Sequence, residues 1–243
     1  MSEQSCRVEN KLQSKKSVDF WKLSFTALFL ATLTIRLACL SRVPLSGDEA
    51  YYWLWSKHPA AGYFDHPPMV AWLIAALTSL GDNEITIRMG AILCSVGMVL
   101  FLCGLARRLG GGSWRASFMS CAPALLAPFF SIYSFIIYPD APLLFFWSGF
   151  MYFFYRAFYE EKIQFWTVAG FFLGMACLSK FMAVFLIVGL FAFLVFSEKG
   201  RRMLCRSGPY QMLSTALVIL FPFLWWNAHH GWETFLFQLA GRH

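Results

Sequence analysis

Two adjacent carboxylates, Asp48 and Glu49, open a stretch reading DEAYYWLWSKHPAAGYFDHPP over residues 48–68. Long apolar runs flank it, so a segment this rich in acids, aromatics and prolines belongs at a membrane surface rather than in a soluble core. An acid at such a boundary is hydrated enough to ionise and dry enough for its surroundings to tune it, which suits a general base. Tyr51, Tyr52, Trp53 and Trp55 follow. These amphipathic rings favour the headgroup level and predict a helix lying flat along the interface. Three more polar constellations interrupt the apolar sequence. They are Asp140 within Tyr138-Pro139-Asp140-Ala141-Pro142, Lys180 after Ser179, and the run Asn227-Ala228-His229-His230-Gly231-Trp232-Glu233.

The elements that must position these groups are membrane helices. Of 243 residues, 58% are hydrophobic and 14% charged, against roughly 25% charged in soluble domains, so the class is a polytopic membrane protein. The formal net charge of +7 does not indicate a nucleic-acid partner. Lys and Arg fall in short clusters between apolar runs, the pattern of topology signals. Seven cysteines, an odd number, argue against a closed disulfide framework and read as small buried hydrophobes.

Residues 1–19 form a polar, basic tail with Arg7, Lys11, Lys15 and Lys16, and the first apolar run starts at Phe20. No small-residue cleavage site follows that run, so the first span is expected to be retained, with the N-terminus cytoplasmic. Residues 67–80 are apolar but too short to span and are expected in the interface. A second span covers 85–106 and a third 116–137, the latter kinked by Pro123 and Pro128. It leads to Asp140 in a rigid, non-helical corner. A fourth span returns to Arg156. Residues 163–196 exceed one crossing at about 1.5 Å per residue and are expected to fold at Ser179-Lys180 into two spans. A seventh, 212–226, exits at Asn227. The expected fold is all-α, with about seven transmembrane helices and interfacial helices in the first outward loop. Residues 20–243 form a single transmembrane domain. On this topology the Lys and Arg clusters lie on the cytoplasmic side, and Asp48, Asp140, Lys180 and the 227–232 run emerge opposite.

Each group alone has a plainer role. Asp48 and Glu49 would cap a helix, Asp140 would form a turn, and Lys180 would snorkel at a span end. His58, His66, His229 and His230 would be surface histidines, since no i, i+4 pair or close carboxylate gives them metal-ligand spacing. Convergence on one membrane face favours chemistry. A cation holds a lipid-linked phosphate, and an acid works on an acceptor hydroxyl.

The ordered series DEAYYWLWSKHPAAGYFDHPP, YPDAP, LSKF and WNAHHGWETFLFQ resembles the bacterial GT-C-fold glycosyltransferases that use polyprenyl-phosphate sugars. These include the lipid A aminoarabinose transferases, the rhizobial lipopolysaccharide galacturonosyl transferases and, more distantly, the protein O-mannosyltransferases. The likeness runs from about residue 20 to the C-terminus and covers the N-terminal part of relatives roughly twice as long, so the chain reads as truncated. The resemblance implies Asp48 as catalytic base, with Glu49 and Asp140 in the catalytic set. It implies Tyr52, Tyr63, Asp65, His66, Arg88, Lys180, Asn227 and His230 as the substrate-binding ring. Where the family's aminoarabinose branch has a basic residue after its aromatic-acidic step, this chain has His66 after Tyr63-Phe64-Asp65. The implied reaction is an inverting single displacement that needs neither cofactor nor metal, with Lys180, Arg88 or His66 neutralising the leaving phosphate. The implied partners are the polyprenyl-phosphate sugar, an envelope glycolipid, glycan or protein acceptor, and the bilayer. The implied location is the bacterial inner membrane, with the site extracytoplasmic. A transporter or flippase, which places ionisable groups at mid-span, and a non-catalytic scaffold are the alternatives.

Overall fold

In lipid a backbone satisfies its hydrogen bonds only within a helix or a closed barrel, and this sequence takes the first route. The computed structural model describes residues 3–240, with side chains from 17 to 239. Its helices are α1 (Glu3–Cys39), α2 (Gly47–Ser56), α3 (Met69–Thr78), α4 (Glu84–Leu109), α5 (Trp114–Leu126) and α6 (Pro128–Ile132), followed by α7 (Asp140–Glu160), α8 (Ile163–Ser179), α9 (Val184–Phe196), α10 (Glu198–Met203), α11 (Ser207–His229) and α12 (Glu233–Ala240). One 3-10 turn (Phe181–Ala183) precedes α9, and there is no strand among the described residues. The side chains of Cys6, Arg7, Lys11, Lys15 and Lys16, and residues Arg242 and His243, lie outside the described residues.

This is an all-α membrane protein. Ser17–Cys39 of α1, α4 and α11 are each long and apolar enough to cross a bilayer. Phe185, Phe191 and Phe196 on α9 and Leu217, Val218 and Phe221 on α11 are exposed, a surface suited to lipid tails. The polar N-terminal stretch, expected as a tail, continues α1 from Glu3. The short apolar segment is α3, ten residues long, and it buries Met69, Val70, Ala71 and Ile74.

Three local expectations need correction. Pro128 breaks the third apolar run, whereas Pro123 stays inside α5. A residue before proline avoids the α region, and Ala127 accordingly sits at φ −62, ψ 130. Asp140 is not in a non-helical corner. It is the first residue of α7, with Pro139 as N-cap, and a proline in the first helical turn sacrifices no hydrogen bond because those N–H groups have no intrahelical partner. Asn227 belongs to the last turn of α11 rather than to an exit loop.

The bundle's two ends differ chemically. At one, Arg108 and Arg156 pair with Glu160, and Arg206 with Glu161. There Lys22 and Arg107 also lie over Trp114, and Lys199 over Tyr159. Lys22, Arg107, Arg108, Arg156, Lys199 and Arg206 therefore share an end. At the other end α1 and α11 finish, α4 and α7 begin, and α8 gives way to Lys180.

Helix α8 is held between α7 and α11 by small residues. A Cβ on Gly149 would strike the Phe172 ring, and one on Gly170 the Met212 carbonyl. Gly170 and Gly174 stand one turn apart on the face toward α11, a small-xxx-small seam that lets helices approach closely in membranes. α7 and α8 are antiparallel and joined only by Glu161 and Lys162. The start of α7 therefore lies beside the end of α8, which brings Asp140 to Lys180.

Candidate active site

Ser46 caps α2 through a capping box. Its Oγ accepts from the Glu49 amide at 3.3 Å, and Glu49 Oε2 accepts from the Ser46 amide at 3.0 Å. Successive helical residues point about 100° apart, so the two acids face different surroundings. Glu49 turns inward and is fully buried, while Asp48 remains exposed.

The buried acid meets Arg88 of α4. Arg88 Nε donates to Glu49 Oε1 at 2.8 Å and Nη2 to Oε2 at 2.7 Å, with both side chains sealed from solvent. Nη1 also donates to the carbonyls of Leu40 (3.0 Å) and Val43 (2.5 Å), and Nη2 to that of Pro44 (2.9 Å). A guanidinium has five N–H donors, and all five are engaged. Glu49 Oε1 further accepts from the Ile137 amide at 3.2 Å. This pair therefore ties the α1–α2 loop, α4 and the segment before α7 together. Arg88, expected among the phosphate-binding cations, has no donor left for a phosphate, and Glu49, expected in the catalytic set, has no exposed oxygen.

Burial alone would raise the Glu49 carboxyl. The Arg88 guanidinium and the Ser46 and Ile137 amides outweigh it and hold the group below its ordinary range. A carboxyl lowered on folding contributes stability above its unfolded value, about 4.3, and loses it as pH falls through the folded value. The melting temperature of the purified protein should accordingly drop steeply below about pH 4.3, and Glu49→Gln should flatten that limb. An unchanged acid limb in this variant would exclude Glu49 as its source.

Above the sealed pair lies Tyr52, buried at 6% exposure, its ring edge-on to His66 and Tyr138 at 6.2 Å each. Burial, then the charges of Asp65, Asp48 and Asp140, push its phenol above the ordinary range, so it stays a neutral donor. The charges of these three carboxylates thus act on one buried phenol. Asp48 lies beside the Tyr138 phenol, which faces Ser46 Oγ at 3.4 Å. Lys180 Nζ donates to both oxygens of Asp140 at 2.8 Å. Their side chains are 27% and 22% exposed, so this pair, unlike Arg88–Glu49, can still meet a ligand.

Of the other expected residues, Tyr63 and Asp65 lie in the loop 57–66, and Asn227 and His230 at the C-terminal end of α11. Tyr63 stacks on Trp55 at 4.4 Å; its hydroxyl donates to the Trp55 and His58 carbonyls at 3.1 Å and accepts from the Ala60 amide. It braces the loop. The Asp65 carbonyl accepts from Gln238 of α12, and the Tyr63 carbonyl from Thr234. Asn227 is fully buried, with Nδ2 donating to Phe223 and Oδ1 lacking a hydrogen-bond partner among the described residues. His230 stacks on Trp226 at 4.0 Å, and its Nδ1 lies 2.8 Å from that residue's carbonyl. A carbonyl accepts, so the proton of this hydrogen bond sits on Nδ1. No hydrogen bond or ion pair joins Asn227 or His230 to Asp48 or Asp140 among the described residues.

Sequence reasoning missed three supports. Ser46, three residues before Glu49, is a capping-box signature that was there to be read. Tyr138 and the strap from Trp53 and Lys57 to Asp82, at 2.8 and 2.7 Å, had no local signal. No group of three metal-ligating side chains occurs among the described residues, and each cysteine described is free.

Comparison with known proteins follows the same line. The chain is similar to the lipid A galacturonosyltransferase RgtD of Rhizobium johnstonii, 31% identical over 190 residues that cover 75% of this chain and 38% of that protein. It thus spans about two fifths of the length of that relative. No solved structure matches. Residues 65–226 match the family described as dolichyl-phosphate-mannose-protein mannosyltransferase, a stretch that begins at Asp65 and includes Arg88, Asp140 and Lys180. With that match covering most of the chain, and helices of membrane length carrying an acid-rich cluster at one end, this protein belongs to the dolichyl-phosphate-mannose-protein mannosyltransferase family.

Proposed function

We propose that this chain carries the donor-side part of a glycosyltransferase site. It moves a sugar from an isoprenoid-phosphate carrier to an envelope acceptor on the extracytoplasmic face of the bacterial inner membrane. One observation carries the reading. Of the three acid–base pairs at this end of the bundle, Glu49–Arg88 is sealed and Lys57–Asp82 straps α2 to the loop before α4, while Asp140–Lys180 is part-open at the end where Asp48 is exposed.

In the proposed reaction Asp48 accepts the proton of the acceptor hydroxyl as its oxygen bonds to the anomeric carbon. The bond from that carbon to the phosphate oxygen breaks, and the electron pair leaves with the isoprenoid phosphate. Lys180 neutralises the departing charge. Asp140 holds the Lys180 ammonium in place between turnovers and cedes part of it to the phosphate. Tyr52, kept neutral, supplies a hydroxyl that orients donor or carboxylate. The opposite end, with its arginine clusters, faces the cytoplasm by the positive-inside tendency.

The test is sugar transfer in proteoliposomes from a polyprenyl-phosphate sugar to lipid A. Lys180→Gln should raise the donor KM by about tenfold or more, the equivalent of one charge-assisted hydrogen bond, with unaltered melting. Donor binding as tight in Lys180→Gln as in the parent would exclude the phosphate role.

A further inference from the structure

A second cation in the bundle is not used by this chemistry. Arg36, in the last turn of α1, is 5% exposed. Among the described residues its only hydrogen bond runs from Nη2 to the Leu125 carbonyl, at a long 3.4 Å, and none of their carboxylates pairs with it. The Leu125 carbonyl is available because the chain breaks before Pro128. Among the described residues it is otherwise met only by Ser131 Oγ at 3.2 Å. Arg36 lines a cavity of about 280 Å³ between α1 and the α5–α6 break, together with Thr32, Ser131 and Phe135. At the cavity's edge Ile35 and Leu126 are exposed at 63% and 61%.

An arginine inside a membrane helix is costly unless paired, solvated or snorkelled to the interface. The helix C-terminal dipole offsets part of that cost but uses none of the remaining N–H donors. Those donors need an acceptor, and the positive charge calls for an anionic one. The apolar, exposed rim argues that it arrives from the bilayer rather than from water. We propose that this cavity binds the phosphate of an anionic membrane lipid, with the guanidinium on the phosphate oxygens, Ser131 as a neutral partner, and acyl chains along Ile35 and Leu126. The cavity's lining includes none of Asp48, Tyr52, Asp140 or Lys180, and the proposal does not depend on the glycosyltransferase reading.

The experiment is native mass spectrometry of the purified full chain in mild detergent, titrated with phosphatidylglycerol or phosphatidylcholine. Phosphatidylglycerol should be retained selectively. Arg36→Met should weaken that retention about tenfold or more, Arg36→Lys should restore part of it, and Arg42→Met, on the exposed loop nearby, should leave it unchanged. Equal retention by the parent and Arg36→Met overturns the proposal. So does displacement of the lipid by millimolar inorganic phosphate, which would assign the cavity to a soluble anion. Photo-crosslinking of the unmutated protein with phosphatidylglycerol carrying a headgroup diazirine guards against a variant that fails to fold. Adducts should map to α1 and α6 around Ile35 and Ile132, and adducts elsewhere would also overturn the proposal.

Discussion

Asp48→Asn should lower sugar transfer by about 10²–10⁴-fold, the usual contribution of a positioned general base, while the protein inserts and melts as before. The large catalytic effect follows from chemistry. An amide has the shape of the carboxylate but cannot take the acceptor proton, and no other exposed carboxylate occupies that position on α2. The small structural effect follows from exposure. Asp48 closes no buried bond, so what is lost is a favourable acid in the first turn of α2, about 0.3–1 kcal/mol. The neighbouring change, Glu49→Gln, should reverse the pattern, losing stability first and activity only as a consequence. Transfer rate and melting temperature measured on both variants give the comparison. Full activity in Asp48→Asn would remove the base from the mechanism, and equal destabilisation by both would refute the division of roles between the two acids.

The second large effect is expected at Arg88, as a loss of stability. Removing one partner of a sealed ion pair leaves the other charge buried, at about 3–5 kcal/mol. Arg88→Met also strips donors from the Leu40, Val43 and Pro44 carbonyls. Arg88→Lys should rescue little, because an ammonium has three donors and no planar fork for Glu49. The double variant Arg88→Met, Glu49→Leu should recover part of the loss, since it removes both charges together. Denaturation of the four proteins in one detergent measures this cycle. A double variant less stable than the sum of the singles would mean that the pair is not what holds the α1–α2 loop. Because Glu49 also accepts from the Ile137 amide just before Asp140, a failing pair should impair transfer by displacing α7 as well as α2.

The hydropathy pattern and the placement of charges were enough to read the class of this protein and most of its helices. Lipid permits little except helices, so apolar runs with Lys and Arg at their ends leave few alternatives. The division of the long run at Ser179-Lys180 and the short helix before α4 were legible for that reason. Asp48, Asp140 and Lys180 could be sorted to one end because each sits where a span stops.

The sequence could not say which acid of the adjacent pair would be buried. Helical geometry separates their directions, but only the docking of α2 on α3, which brings Glu49 to Arg88 of α4, makes one of them the interior. Nor could it pair Glu49 with Arg88, 39 residues away, or Asp140 with Lys180, 40 away. All four are charged residues near span ends, and by composition either cation suits either acid. What separates them is depth. Arg88 stands in the second turn of α4, beneath the loop whose carbonyls fill its remaining donors, while Lys180 stands past the last turn of α8, where the bundle opens. Depth is a property of packed helices, and it made one pair a structural clamp and left the other exposed to a ligand.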